Sequence, residues 1–152
     1  MKKIFIIIAA VAAIGIGYWL ISPFFKEEVV NERLEDIMPT PVPGQIQKSE
    51  LQTVSTGTFT GLAGHNAEGT AKLLKIGDEY YIRFEDDFKV TNGPDLFVHF
   101  GKDGQYVSEA RLGALKGNMG GQNYKVPAEL NPADFNEVWV WCRSFFVPFG
   151  KA

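Results

Sequence analysis

From residue 55 onward the sequence predicts an all-β fold, an antiparallel β-sandwich or barrel-like domain, preceded by one N-terminal transmembrane helix. Three observations predict it. Apolar runs after Thr56 are short and are broken by Gly, Pro, Asn and Asp. One run alternates: Tyr80, Ile82 and Phe84 fall on one face, and Tyr81, Arg83 and Glu85 on the other. That is the pattern of a half-buried antiparallel strand. Finally, residues 4–25 contain no charge, and 22 helical residues reach about 33 Å, close to a bilayer's hydrocarbon core.

The amino-terminal run, "IFIIIAAVAAIGIGYWLISPFF", follows Lys2 and Lys3 and precedes Lys26, Glu27 and Glu28. Tyr18 and Trp19 fall near its outer end, where amphipathic rings favour an interface. Basic residues ahead of the run predict a cytoplasmic N-terminus, with everything after residue 25 outside the cytoplasmic membrane. A cleaved signal peptide has a shorter apolar core and a small-x-small site after it. Here the small residues lie inside the run, which predicts an uncleaved anchor over residues 1–25.

Residues 26–54 read as an acidic, proline-containing linker. "KEEVVNERLEDIM" has room for two helical turns. Pro39, Pro41 and Pro43 then enforce an extended chain. The expectation is a partly disordered stalk between the anchor and a domain over 55–152.

Within the domain, "TGTFTGL" is strand-like. "GTAKLLKI" and "EYYIRFE" flank Gly77-Asp78, a hairpin pair. "NGP" is a turn, and "DLFVHF" a strand ending at Gly101. Residues 101–121 are glycine-rich and read as a long loop. "QNYKVP" is a short strand. "NPADF" is a helical turn with Asn131 as cap and Pro132 in the first position. "EVWVWC" and "SFFVPFG" are closing strands. Alternation predicts Phe84, Phe88, Leu96, Val98, Val138 and Val140 in the core.

At 152 residues and 45% hydrophobic content, the chain is long enough for one domain with a proper core. A net charge of −3 carries no basic footprint for nucleic acid. "GALKGNMGGQ" lacks the spacing and Lys-Ser/Thr of a phosphate loop.

Cys142 is the single cysteine. In a regular strand it shares a face with Val138 and Val140, while Trp139, Trp141 and Arg143 share the other. That places the thiol in the core and Arg143 at water, too far round the strand to stabilise a thiolate. A bulge at "CRS" would change this. The alternative is a thiol that couples to another protein, reacts with oxidants or binds a metal. A blue-copper site needs a His, and often a Met, shortly after its cysteine; "RSFFVPFGKA" holds neither.

His65 and His99 are the only histidines. His65 sits in a glycine-rich turn, where it bonds the backbone. His99 shares a face with Phe97 and reads as a packed imidazole with both nitrogens satisfied. No cofactor is predicted; a haem or metal site needs His65 and His99, or one of them with Met119, to converge. Asp95, after Gly93-Pro94, is expected to bond the amides of its own turn.

Four stretches taken in order, "GTFTGLAGHNAEGTAKL", "YYIRFEDDFKVTNGPDLFVHF", "LGALKGNMGGQNYKVP" and "EVWVWCRSFFVPFGKA", resemble the DM-thirteen domain family over about residues 55–152. The resemblance implies a β-sandwich of surface and secreted proteins with a characteristic late cysteine and a role in redox or electron transfer. Such domains often stand beside haem-binding domains in animal proteins; here a haem partner would be a separate protein. By position, the family's cysteine is Cys142, its early histidine His65 and its Pro-Asp pair Pro94-Asp95. The implied function is a membrane-tethered extracytoplasmic domain, held through residues 4–25. It would carry thiol-based redox or electron transfer through Cys142 with a separate redox protein at the cell surface. The alternative is a non-catalytic surface binding or adhesion module with a structural cysteine, binding through residues 101–121 and the turn at Gly64-His65.

Overall fold

The computed structural model describes residues 27–39 and 50–152, together with Ile4, Ile8, Val11, Ala12 and residues 14–18, which are helical. Among the described residues no helix is long and apolar enough to cross a membrane. The anchor expected over residues 4–25 falls largely outside the described residues, as do residues 40–49 of the expected linker.

Eleven strands build the domain: β1 (Leu51–Thr58), β2 (Thr60–Gly61), β3 (Ala67–Glu68), β4 (Thr70–Ile76), β5 (Glu79–Phe84), β6 (Lys89–Val90), β7 (Leu96–Lys102), β8 (Gln105–Ala114), β9 (Gln122–Lys125), β10 (Glu137–Cys142) and β11 (Val147–Lys151). One antiparallel sheet runs β1-β4-β5-β9 and a second β2-β11-β10-β7-β8; β3 and β6 pair separately. Ile82, Phe84 and Tyr124 of the first sheet meet Val98, Phe100, Val138, Val140 and Cys142 of the second in one buried cluster. The predicted all-β, antiparallel class is the one observed. Phe84 and Phe88 lie 4.5 Å apart, each 4.9 Å from Phe59. All six residues expected in the core are buried.

The Gly77-Asp78 hairpin forms, with Gly77 at φ 60°. The closing helical turn also forms, as a short 3-10 turn at Pro132–Asp134 whose cap Asn131 accepts a bond from the Ala133 amide.

Residues 101–121 are not one loop. β8 occupies ten of them and pairs with β7 across a tight turn at Asp103-Gly104. Both turn residues have positive φ, 51° and 79°, which the hairpin geometry demands and Asp-Gly tolerates. The strand escapes a sequence reading because it is an edge strand with two register shifts. Only Ala110 is fully buried on it, so its side chains show no period of two. "SFFVPFG" is likewise shorter than expected: residues 143–146 form a turn, and β11 begins at Val147.

The acidic segment after residue 26 lies on the domain. Residues 28–33 run extended along residues 117–123, with Val29 opposite Met119. The Val30 and Glu32 amides donate to Met119 and Gly121 carbonyls at 2.9 and 3.0 Å. A 3-10 turn at Leu34–Ile37 follows. The glycines opposite exist for this contact: a Cβ at Gly117 would stand 2.5 Å from the Glu28 carbonyl oxygen, and one at Gly120 2.2 Å from that of Val30. The strap also explains Arg83, on the mixed face of β5 yet only 5% exposed. Its guanidinium donates to the Glu32 carbonyl at 2.6 Å and to Asn123 Oδ1, and it pairs with Asp86. A buried cation is tolerable only with such compensation.

Candidate functional site

β10 places Cys142 as alternation requires. Val138, Val140 and Cys142 point inward at 5%, 0% and 0% exposure. Trp141 is half-buried on the other face, and Arg143 is exposed. The thiol is free. Across the ladders its neighbours are Leu96 and Val147.

Where β10 ends, the chain turns through residues 143–146, and Asp95 at the entrance to β7 holds that turn. Arg143 Nε and Nη2 donate to the two carboxylate oxygens at 2.9 and 3.1 Å, and the Ser144 hydroxyl adds a third bond at 2.8 Å. The Arg143 amide donates to the Asp95 carbonyl at 3.0 Å. These bonds from Arg143, then Ser144, hold the carboxyl below its ordinary pKa. Asp95 was expected to serve its own turn; it instead ties two strands together, because residues 143–146 come back beside it. Pro94 is exposed next to the clasp. The turn it closes presents Phe145 and Phe146 to water, 61% and 77% exposed, with Phe146 at φ 55°. A bulky residue at positive φ is strained.

The histidines lie apart. His65 stacks face to face on Phe149 at 3.6 Å and lines a cavity with Glu27, Lys89 and Asn118. His99 points to the outer face of the second sheet, 4.8 Å from the Tyr106 ring. It is 4% exposed, and its Nδ1 has no hydrogen-bond partner, contrary to the expectation of a satisfied ring. Burial, reinforced by the Arg111 charge and opposed by a bond to the Val107 backbone, lowers its pKa to about 4. At neutral pH the imidazole is therefore uncharged. Arg143 and Arg111 both lie over the Phe97 ring, at 4.7 and 5.3 Å. Arg143 thus joins the clasp beside Cys142 to the wall around His99. Sequence reasoning missed Arg111 and Tyr106 here, since both depend on the pairing of β8; it put Trp141 on this outer face but not against Tyr106.

Among the described residues, no three His, Cys, Asp or Glu side chains gather where they would hold a metal ion. His65 and His99 line different cavities.

A family profile described as "Electron transfer DM13" matches residues 58–152, more than half of the chain. The chain belongs to the DM13 family. Cys142, the Pro94-Asp95 pair and His65 all lie inside the matched DM13 region, and the strap of residues 27–37 lies outside it. No curated protein and no solved structure matches the chain.

Proposed function

We propose that this DM13 domain is an electron-transfer or thiol-redox module that works through Cys142 with a separate redox protein. Membership of a family described by electron transfer carries the proposal. One cysteine cannot close a dithiol cycle, so the partner supplies a disulfide that the Cys142 thiolate attacks, forming a mixed disulfide and releasing one partner thiol, or a peroxide oxidises Cys142 to a sulfenic acid and is itself reduced to water or an alcohol. With the thiol fully covered, reaction follows opening of the turn 143–146, and the Asp95 clasp sets how often that happens. The domain is tethered outside the cytoplasmic membrane by residues 4–25, which the Lys2-Lys3 pair and the uncharged run support.

The same burial favours a second reading, a surface binding module in which Cys142 only packs. Labelling by a small thiol reagent separates them. Under the redox proposal the folded protein labels at a measurable rate, and Asp95→Asn, by loosening the clasp, raises that rate about tenfold. Labelling that waits for global unfolding, in both proteins, means a structural cysteine. Protease added to intact cells tests the tether: it should remove the domain and leave a short membrane-bound stub.

A further inference from the structure

The outer face of the second sheet holds a cavity of about 190 Å³ lined by Phe97, His99, Tyr106, Ser108, Arg111 and Arg143. Its size suits one aromatic ring, since an apolar cavity of about 150 Å³ accepts benzene. Its walls suit one too: the Phe97 and Tyr106 rings, with Trp141 stacked behind Tyr106 at 4.1 Å and 11°. Two features ask for polar groups. Arg143 is neutralised by Asp95, but Arg111 makes no ion pair among the described residues and lies only over Phe97. That leaves one positive charge at the wall. His99 Nδ1 is the sole buried side-chain nitrogen or oxygen, among the described residues, without a hydrogen-bond partner. Nδ1 is unpartnered and covered, so it can accept a hydrogen bond where a small movement of the cavity wall lets a donor in. Such an atom costs free energy until a donor reaches it.

We propose that this cavity binds a single-ring hydroxylated aromatic acid, its hydroxyl donating to His99 Nδ1, its carboxylate on Arg111 and its ring against Phe97 and Tyr106. The site is separate from Cys142 and does not depend on the electron-transfer reading.

The probe is 4-hydroxybenzoate added to the full-length chain, followed by the imidazole nitrogen spectrum. With two histidines in the chain, His65 is an internal control. The His99 Nδ1 resonance should move in the direction of an accepted hydrogen bond, saturably, while His65 stays still. 4-Methoxybenzoate, which has no hydroxyl hydrogen, should bind at least about tenfold more weakly, because a site built around a hydrogen bond rejects an analogue that cannot make it. Arg111→Gln changes an exposed side chain, and should weaken 4-hydroxybenzoate by about tenfold with the circular dichroism unchanged. Equal binding of the two benzoates, or full binding by Arg111→Gln, overturns the proposal. So does an Nδ1 resonance already hydrogen-bonded without the probe and unmoved by it, the mark of a bound water only.

Discussion

Cys142 is held by shape. Its neighbours are Leu96, Val140 and Val147, and its exposure is nil. Cys142→Ala should therefore cost only about 1–2 kcal/mol in urea unfolding. Cys142→Ser, equal in size, should cost about 1–3 kcal/mol, because its hydroxyl is taken from water in among these apolar neighbours. If Ser proved as stable as the parent, the thiol would have to be reachable by water. His99 makes a second, independent statement. Its folded pKa is about 4 against an ordinary 6.5, so the unfolded chain binds the extra proton first. Stability is then fully present above pH 6.5, falls as pH drops towards 4 and is level below. The span is at most about 3 kcal/mol. Arg111, Tyr106 and Arg143 share its cavity wall. A His99→Gln variant should flatten that part of the stability–pH curve. At this scale the sequence was informative about inward and outward faces. The alternation in residues 138–143 is enough to bury Cys142 and expose Arg143. It was uninformative about partners. Nothing local to Gly93-Pro94-Asp95 signals that its carboxylate serves a turn almost 50 residues later.

The strap is the element that most changes what the sequence implies. Glu32 anchors it twice: its carboxylate takes Lys116 Nζ at 2.7 and 2.8 Å and the Asn123 amide at 2.8 Å. Lys116 is partly open to water, 41% exposed, so screening discounts the ion pair. Glu32→Ala should cost about 1–2 kcal/mol. Gly120→Ala should do more, since its φ is +85° and the added carbon meets the Val30 carbonyl. The expected outcome is an ejected strap. Hydrogen exchange at the Val30 and Glu32 amides would then reach unprotected rates while β7 and β10 stay protected. Glycines in "GNMGG" read as loop because a close backbone approach leaves no periodic mark, and neither partner segment names the other. β8 shows the same limit with a difference. Its turn, Asp103-Gly104, is a hairpin signal in plain sight. Only the want of alternation in the strand after it makes the region look irregular.

For the whole molecule, the docked strap fixes where the domain can stand. Glu28 already donates its amide to Asn118 Oδ1 at 2.7 Å, two residues after Lys26. No stalk separates residue 28 from the domain. If residues 4–25 span a membrane, the domain lies against its surface, with the His65 cavity, which Glu27 helps to line, on the near side. A cut between residues 39 and 50 tests this arrangement. The strap is joined by three backbone hydrogen bonds to residues 119–121 and by Glu28, Glu32, Arg33 and Arg83 contacts. At about 1 kcal/mol net for each bond, and less where exposed, the attachment is worth several kcal/mol. Covalent connection multiplies this through a high effective concentration; without it the association becomes measurable and dilutable. Fragments 1–39 and 50–152 should co-purify after cleavage and separate on Glu32→Ala substitution. Fragment 50–152 alone should melt roughly 10 °C lower than the uncut chain, as loss of about 2 kcal/mol does in a domain of this size. An unchanged melting point and immediate separation of the two fragments would mean that residues 28–33 contribute nothing to the fold. The domain would then hang from residue 50, free to turn.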